Sequence, residues 1–115
     1  MSTHEAIIQW KRTTPDFHLD SYSRDHSWRF GSGSSVAATA APEFRGSPTL
    51  VNPEEALVAA VSSCHMLTFL AIAARKGLVV DAYEDRAVGH LTKDDRGRLV
   101  VSRVVLSPRV TFRGA

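Results

Sequence analysis

The sequence predicts an α+β domain in which one long helix packs on antiparallel sheet. Three observations support this prediction: an uncharged stretch from Ala56 to Ala74 with helix signals at both ends, extended runs on either side of it, and turn signals near Gly31 and Gly97. The order of strands, long helix and strands is typical of an α+β fold. With 115 residues, the chain has the length of a single domain, residues 1–115.

The long helix is predicted from Asn52 to Gly77. Asn52 suits the N-cap, because its side chain can accept a hydrogen bond from a first-turn N–H, and Pro53 suits the next position, where a missing N–H costs nothing. Two glutamates in the first turn and an Arg-Lys pair in the last turn oppose the helix dipole. Gly77 is placed to adopt the left-handed conformation that ends many helices.

This helix lacks the polar stripe of a surface helix, so the sequence predicts burial on nearly all sides. About 24 helical residues span about 36 Å, whereas a compact chain of this length has a radius of gyration of about 13 Å. One short chain would not cover such a rod, and we therefore expect a homodimer. A membrane span has the same length, but the many Ala, Ser, Thr and His residues disfavour it.

Three strands are predicted before the helix. The apolar run Glu5–Trp10 is the first, and the weak alternation of His18–Tyr22 predicts the second. A Gly-Ser turn at 31–34 then leads into Val36–Ala40 as the returning arm of a hairpin. Proline and glycine make Ala41–Val51 a loop that delivers the chain to the helix.

Two longer strands are predicted after the helix, Val79–Leu91 and Leu99–Phe112, joined by a hairpin turn at Thr92–Gly97. The second strand alternates with period two between an apolar and a basic face. The apolar face carries Val100, Val104, Leu106, Val110 and Phe112, and the other carries Arg103, Ser107, Arg109, Thr111 and Arg113.

Composition excludes several classes of function. The net charge is +2 and the basic residues are interleaved with acids, which does not favour nucleic-acid binding. The first thirty residues lack an apolar secretory core, so the expected compartment is the cytoplasm. The histidines show no metal-ligand spacing, and we expect neither a metal nor a cofactor.

Cys64, in the middle of the predicted helix, is the candidate for chemistry. A lone cysteine on an apolar helix is usually a core residue, and a reactive thiolate would need a cation from elsewhere. Arg24, in a charged segment before the hairpin, could supply one. Glu54 lies about 15 Å along the same helix, so it could reach only a partner's Cys64. His65 points about 100° away from Cys64 and is expected to be packed.

Several motifs resemble the osmotically inducible protein C and organic hydroperoxide resistance family (OsmC/Ohr). They are NPEE at 52–55 and SSCHML at 62–67 on the helix, YSRDH at 22–26 before it, and PRVTF at 108–112 after it. Because Cys64 is followed by His65, the likeness is closer to the OsmC-like branch.

The resemblance implies an intertwined homodimer with long central helices wrapped by antiparallel sheets. It also implies a thiol-dependent peroxidase that reduces organic hydroperoxides and hydrogen peroxide in oxidative stress defence. By position, Cys64 would be the peroxidatic thiolate, Arg24 the arginine that stabilises it, and Glu54 the carboxylate that holds that arginine.

The resemblance also implies a second cysteine on a C-terminal helix, which these 115 residues lack. Three explanations are then open: the chain is a truncated product, its activity is lost, or an external dithiol reductant, such as a lipoyl group, resolves the sulfenic acid. Two other interpretations stay open. One is a non-catalytic dimeric OsmC-like fragment or small-ligand binder. The other is a thioester-processing enzyme that uses Glu54 and Asn52.

Overall fold

The computed structural model describes residues 1–114, which form two compact units, one of residues 1–53 and one that begins at Glu54. The first unit contains a three-stranded antiparallel sheet of β1 (Ala6–Gln9), β2 (His26–Phe30) and β3 (Ser35–Ala38), with β2 in the centre. The predicted first strand and the hairpin after it are therefore confirmed.

The strand predicted at His18–Tyr22 is wrong. These residues form a turn, in which the backbone N–H groups of Ser21 and Tyr22 both donate to His18 O, at 3.0 and 3.1 Å. Ser21 reinforces the turn, because its Oγ accepts a hydrogen bond from the His18 N–H at 3.0 Å. Serine side chains commonly compete in this way with the backbone pairing of a strand.

Thr39 is fully buried and joins the end of β3 to the loop that follows it. Its hydroxyl donates to Asp25 Oδ1 at 2.8 Å and accepts from the Ser47 N–H at 3.0 Å. The same loop makes a close approach at Gly46, where a Cβ atom would lie 1.6 Å from the Ala40 carbonyl oxygen. Glycine is the residue that such a backbone approach permits.

The long helix, α1, runs from Pro53 to Arg75, as predicted. It ends in a Schellman motif, in which the Leu78 N–H donates to Ala73 O at 2.9 Å and the Gly77 N–H donates to Ala74 O at 3.1 Å. Gly77 has the left-handed φ of 76° that this motif requires. Within the single chain, however, Ala73 is the buried residue of the helix, so the predicted burial on nearly all sides is not reached there.

The rest of the second unit is one long antiparallel hairpin. Its arms are broken into β4 (Val80–Asp85) and β5 (Val88–Lys93) on one side and β6 (Leu99–Val105) and β7 (Pro108–Phe112) on the other. Asp85 pairs with Pro108 and Val88 pairs with Val105, so the register continues unchanged across the break.

The prediction of two uninterrupted strands is therefore wrong at 86–87 and 106–107. Pro108 has no N–H to give to the ladder. The N–H of the preceding Ser107 donates to the Asp85 side chain, at 2.6 Å from Oδ1, instead of to a partner strand.

A bulge also corrects the predicted apolar face of the last strand. His90 pairs with Arg103 and Leu91 with Val101, which leaves Ser102 as the extra residue. The bulge shifts the alternation by one position, so Val101 is half-buried whereas Val100 is 38% exposed. The strict period-two pattern had placed Val100 on the buried face.

Candidate functional site

The hairpin packs against one stripe of α1, which we call the inner stripe. Its residues lie three or four positions apart and so share one side of the helix. They are Val58, Ser62, Met66, Phe69 and Ala73, and each is half-buried or buried. The approach is close at Gly89 of β5, where a Cβ atom would lie 2.5 Å from Val58 Cγ2.

Asp85 fixes the middle of the inner stripe. The Ser62 hydroxyl donates to Asp85 Oδ2 at 2.5 Å, and the other carboxylate oxygen accepts from the Ser107 N–H at 2.6 Å. One carboxylate therefore joins the helix to both arms of the hairpin at their break. Hydrogen bonds to an ionised group are stronger than neutral ones, so Asp85 is a firm anchor for this part of the helix.

An aromatic cluster holds the following turns of the helix. The ring of Phe69 lies 5.7 Å from that of Tyr83 on β4 and 6.4 Å from that of Phe112 on β7, both in tilted arrangements. Such separations are favourable for aromatic pairs. The cluster and the Asp85 anchor together set the rotation of α1 about its axis within the second unit.

This rotation points Cys64 away from the hairpin. Cys64 follows Ser62 by two residues, which is about 200° around a helix. The thiol is exposed and lies in a shallow depression formed by Ala60, Val61, His65 and Thr68. The expectation of a packed His65 is wrong for this chain, because His65 is also exposed.

Cys64 belongs to a second stripe of α1, the outer stripe, which the described part of this chain leaves exposed. Its residues again follow helical spacing: Leu57, Val61, Cys64, Thr68 and Ile72. Leu57 is 46%, Val61 39% and Ile72 44% exposed. The thiol is therefore at the centre of an apolar surface that another molecule could cover.

Glu54 is half-buried in the first turn of the same helix. Because α1 is continuous from Pro53 to Arg75, about 15 Å of helix separates Glu54 from Cys64. The two side chains do not meet within one chain, as the sequence had indicated.

Arg24 belongs to the first unit, where its own segment holds the guanidinium. Nη1 donates to Tyr22 O at 2.5 Å, Nη2 donates to Leu19 O at 2.7 Å, and Cζ lies 3.6 Å from the centre of the Tyr22 ring. These contacts orient the side chain and stabilise its charge by a cation–π interaction. They account for two of the five N–H groups of an arginine.

His26 and Trp28 support this segment in a way that the sequence analysis missed. Trp28 Nε1 donates to His26 Nε2 at 3.0 Å, and His26 Nδ1 lies 2.7 Å from Arg24 O. Because an indole N–H is only a donor, Nε2 must be the acceptor and Nδ1 carries the proton that it donates to Arg24 O. His26 ends the YSRDH motif that carries part of the family resemblance, but nothing in that motif indicated these hydrogen bonds.

Among residues 1–114, no group of three or more His, Cys, Asp and Glu side chains is arranged to hold a metal ion. By length and composition α1 could cross a membrane, a test that the core helix of a water-soluble protein also passes.

Two of three comparisons with known proteins indicate the same family. A family model described as OsmC-like protein matches residues 46–115. None of the curated proteins matches. Among solved structures, an OsmC-like protein of unknown function from Vibrio cholerae is similar at 48% identity with a TM-score of 0.90, over 100% of this chain and 78% of that one.

Proposed function

We propose that this chain, which belongs to the OsmC-like protein family, is a thiol-dependent peroxidase that reduces organic hydroperoxides and hydrogen peroxide at Cys64. The observation that carries the proposal is the position of this thiol, which is exposed at the centre of the outer stripe of α1 and turned away from the hairpin core. A structural core cysteine would lie on the inner stripe, where side chains are packed.

The reaction that we propose has two steps. The Cys64 thiolate attacks the terminal oxygen of the hydroperoxide, the O–O bond breaks, and the leaving alkoxide takes a proton to become an alcohol. Cys64 is thereby oxidised to a sulfenic acid. A dithiol reductant, such as a lipoyl group, then forms a mixed disulfide with loss of water, and its second thiol closes to a cyclic disulfide and releases the Cys64 thiol. A reducing compartment such as the cytoplasm would maintain such a dithiol.

Arg24 and Glu54 have proposed roles in the first step. A guanidinium stays charged throughout, so Arg24 would stabilise the thiolate and the charge that develops on the peroxide oxygens. Glu54 would orient that guanidinium through a charge-assisted hydrogen bond. The contacts of Arg24 with Tyr22 and Leu19 support this role, because they pre-orient the side chain and leave three N–H groups for other acceptors.

We also propose that the working form is a homodimer, in which the outer stripe of each chain is covered by the partner. The exposed Leu57, Val61 and Ile72 support this, since apolar patches of this kind usually mark interaction surfaces. Covering the stripe would place Cys64 in a site from which water is largely excluded. It would also allow Glu54 of one chain to approach Cys64 of the other.

The test is the intact mass of the reduced protein before and after one equivalent of cumene hydroperoxide. We expect a gain of one oxygen atom that a dithiol reverses, and no gain in Cys64→Ser. Arg24→Gln should slow the reaction by about a hundredfold, the usual effect of losing one electrostatic donor, whereas the exposed Arg29→Gln should not. Peroxide turnover that persists in Cys64→Ser would disprove the proposal, and an unmodified wild-type protein would favour the non-catalytic interpretation.

A further inference from the structure

The first unit contains an open cavity of about 400 Å³, and apart from Arg24 the residues that line it have no role in the proposed peroxidase reaction. Its walls are mainly apolar and include Ile8, Trp10, Phe17 and Tyr22, and Arg24 and His26 also line it. This volume lies in the range of small-molecule sites, which combine apolar walls with a few polar groups that fix the orientation of the ligand.

Contacts between the rings and one hydrogen bond hold the aromatic wall of the cavity in place. The ring of Phe17 lies 4.9 Å from that of Tyr22 and 5.8 Å from that of Trp10, and Trp10 meets Tyr22 edge-on at 6.0 Å. Trp10 is fixed further by its indole N–H, which donates to Ser23 O at 2.8 Å. Even so, Trp10 is 42% and Phe17 62% exposed, so the cluster presents aromatic surface that a ligand could cover.

Arg24 is the cation of this cavity. Within residues 1–53 no carboxylate is in ion-pair contact with it, and the neighbouring Asp25 accepts a hydrogen bond from the buried Thr39 instead. His26 uses both ring nitrogens in bonds to Trp28 and to Arg24 O. A half-buried guanidinium with apolar neighbours and three remaining N–H groups is suited to an anionic acceptor.

We propose that this cavity binds a small aromatic carboxylate. The carboxylate would accept hydrogen bonds from the free N–H groups of Arg24, and the ring would pack on Trp10, Phe17 and Tyr22. Both halves of such a ligand have a matching surface in the cavity, because aromatic faces favour offset or edge-on ring contacts and guanidinium favours carboxylate. Binding does not involve Cys64, but it uses the N–H groups of Arg24 that are also proposed to serve the peroxidase reaction, so a bound carboxylate and a hydroperoxide would compete for this guanidinium.

The test is a titration of the isotopically labelled 115-residue chain with 2-naphthoate, followed by amide and indole chemical shifts. We expect saturable shifts at the Trp10 indole and at the Tyr22 and Arg24 amides. Neutral 2-naphthamide has the same ring and should bind about tenfold more weakly, which corresponds to the loss of a charge-assisted hydrogen bond.

Three variants make the result decisive. Arg24→Gln should weaken 2-naphthoate binding by about tenfold and abolish the preference over the amide, whereas Arg29→Gln, an exposed arginine of β2 outside the cavity, should leave both unchanged. Cys64→Ser should bind as the wild type does, even though it loses peroxidase activity. No saturable shift up to about 5 mM, equal affinity for the amide, or shifts confined to α1 would each overturn the proposal.

Discussion

The inner and outer stripes of α1 are both mainly apolar, with one hydroxyl residue each, but they lie in different environments. The inner stripe is anchored by the Asp85 carboxylate and by the Phe69 aromatic cluster. The outer stripe carries Cys64 and stays exposed in this chain. The comparison teaches that an apolar helix can have one face fixed by its own chain and another kept for a partner or a reaction. We expect substitutions on the two faces to differ accordingly.

Removing the Asp85 anchor should have the largest effect on the stability of the protein. Asp85→Ala removes the acceptor of two hydrogen bonds to a charged group and should lower the free energy of unfolding by about 3 kcal/mol. Chemical denaturation of both variants would measure this, with the neighbouring, exposed Glu84→Ala as the matched control, for which a change under about 0.5 kcal/mol is expected. Equal effects of the two substitutions would contradict the assigned role of Asp85.

The next prediction compares the two stripes directly. Phe69→Ala removes a half-buried ring from the aromatic cluster and should lower the free energy of unfolding by about 2 kcal/mol at every protein concentration. Ile72→Ala on the outer stripe should cost stability only where the proposed homodimer is populated, since the midpoint of a dimer depends on concentration. Thermal unfolding over a wide range of protein concentration distinguishes them. A cost for Ile72→Ala that is independent of concentration would show that the chain itself covers the outer stripe.

A smaller change in the free energy of unfolding, in the stabilising direction, is expected from a substitution at Tyr83. Its hydroxyl is buried without a hydrogen-bond partner among residues 1–114, while its ring packs on Phe69. Tyr83→Phe keeps the ring and removes the unsatisfied group, so it should stabilise the protein by about 1 kcal/mol. A loss of stability in denaturant unfolding would instead reveal a partner for the hydroxyl, supplied by water or by a second chain.

The smallest effect is expected at the tip of the hairpin, far along the chain from both stripes. Asp94 accepts hydrogen bonds from the Arg98 and Arg96 N–H groups and pairs with the Arg98 side chain at 3.1 Å. The Arg98 N–H contributes most to holding the pKa of Asp94 below its ordinary value of 3.8.

A lowered pKa in the folded state means that Asp94 stabilises the turn above its ordinary pKa. This contribution is lost as the pH falls through the folded value. The protection of the amides at residues 94–98 against exchange, relative to the intrinsic rate at the same pH, should therefore fall in acid, and Asp94→Asn should show the lower protection already at neutral pH. Identical exchange in the variant and the wild type would show that the Asp94 carboxylate does not stabilise the turn.

The sequence predicted some parts of this molecule well, and particular residues show why. The bounds of α1 follow from local chemistry: a proline at its start and Gly77 with its left-handed φ at its end. The β2–β3 and β5–β6 hairpins follow from their glycine-containing turns. Such signals depend on a few adjacent residues, so they can be read without knowledge of the rest of the fold.

The candidate site was only partly predictable. Cys64, Arg24 and Glu54 were identified by resemblance to a family, and their roles remain predictions. The support around Arg24, made by Tyr22, Leu19 and His26, gave no periodic signal, because it consists of side-chain bonds to backbone carbonyls in an irregular segment.

The sequence by itself determined the α+β class, the position and length of the central helix, and the family to which the chain belongs. Only the tertiary structure decided which side of that helix faces the hairpin and which side presents the thiol. A helix that is apolar all round carries no polar stripe to mark its orientation, so contacts from distant residues such as Asp85 and Phe112 set it. In the same way, the bulge at Ser102 moved Val101 inward and Val100 outward, because one extra residue inverts the alternation of a strand.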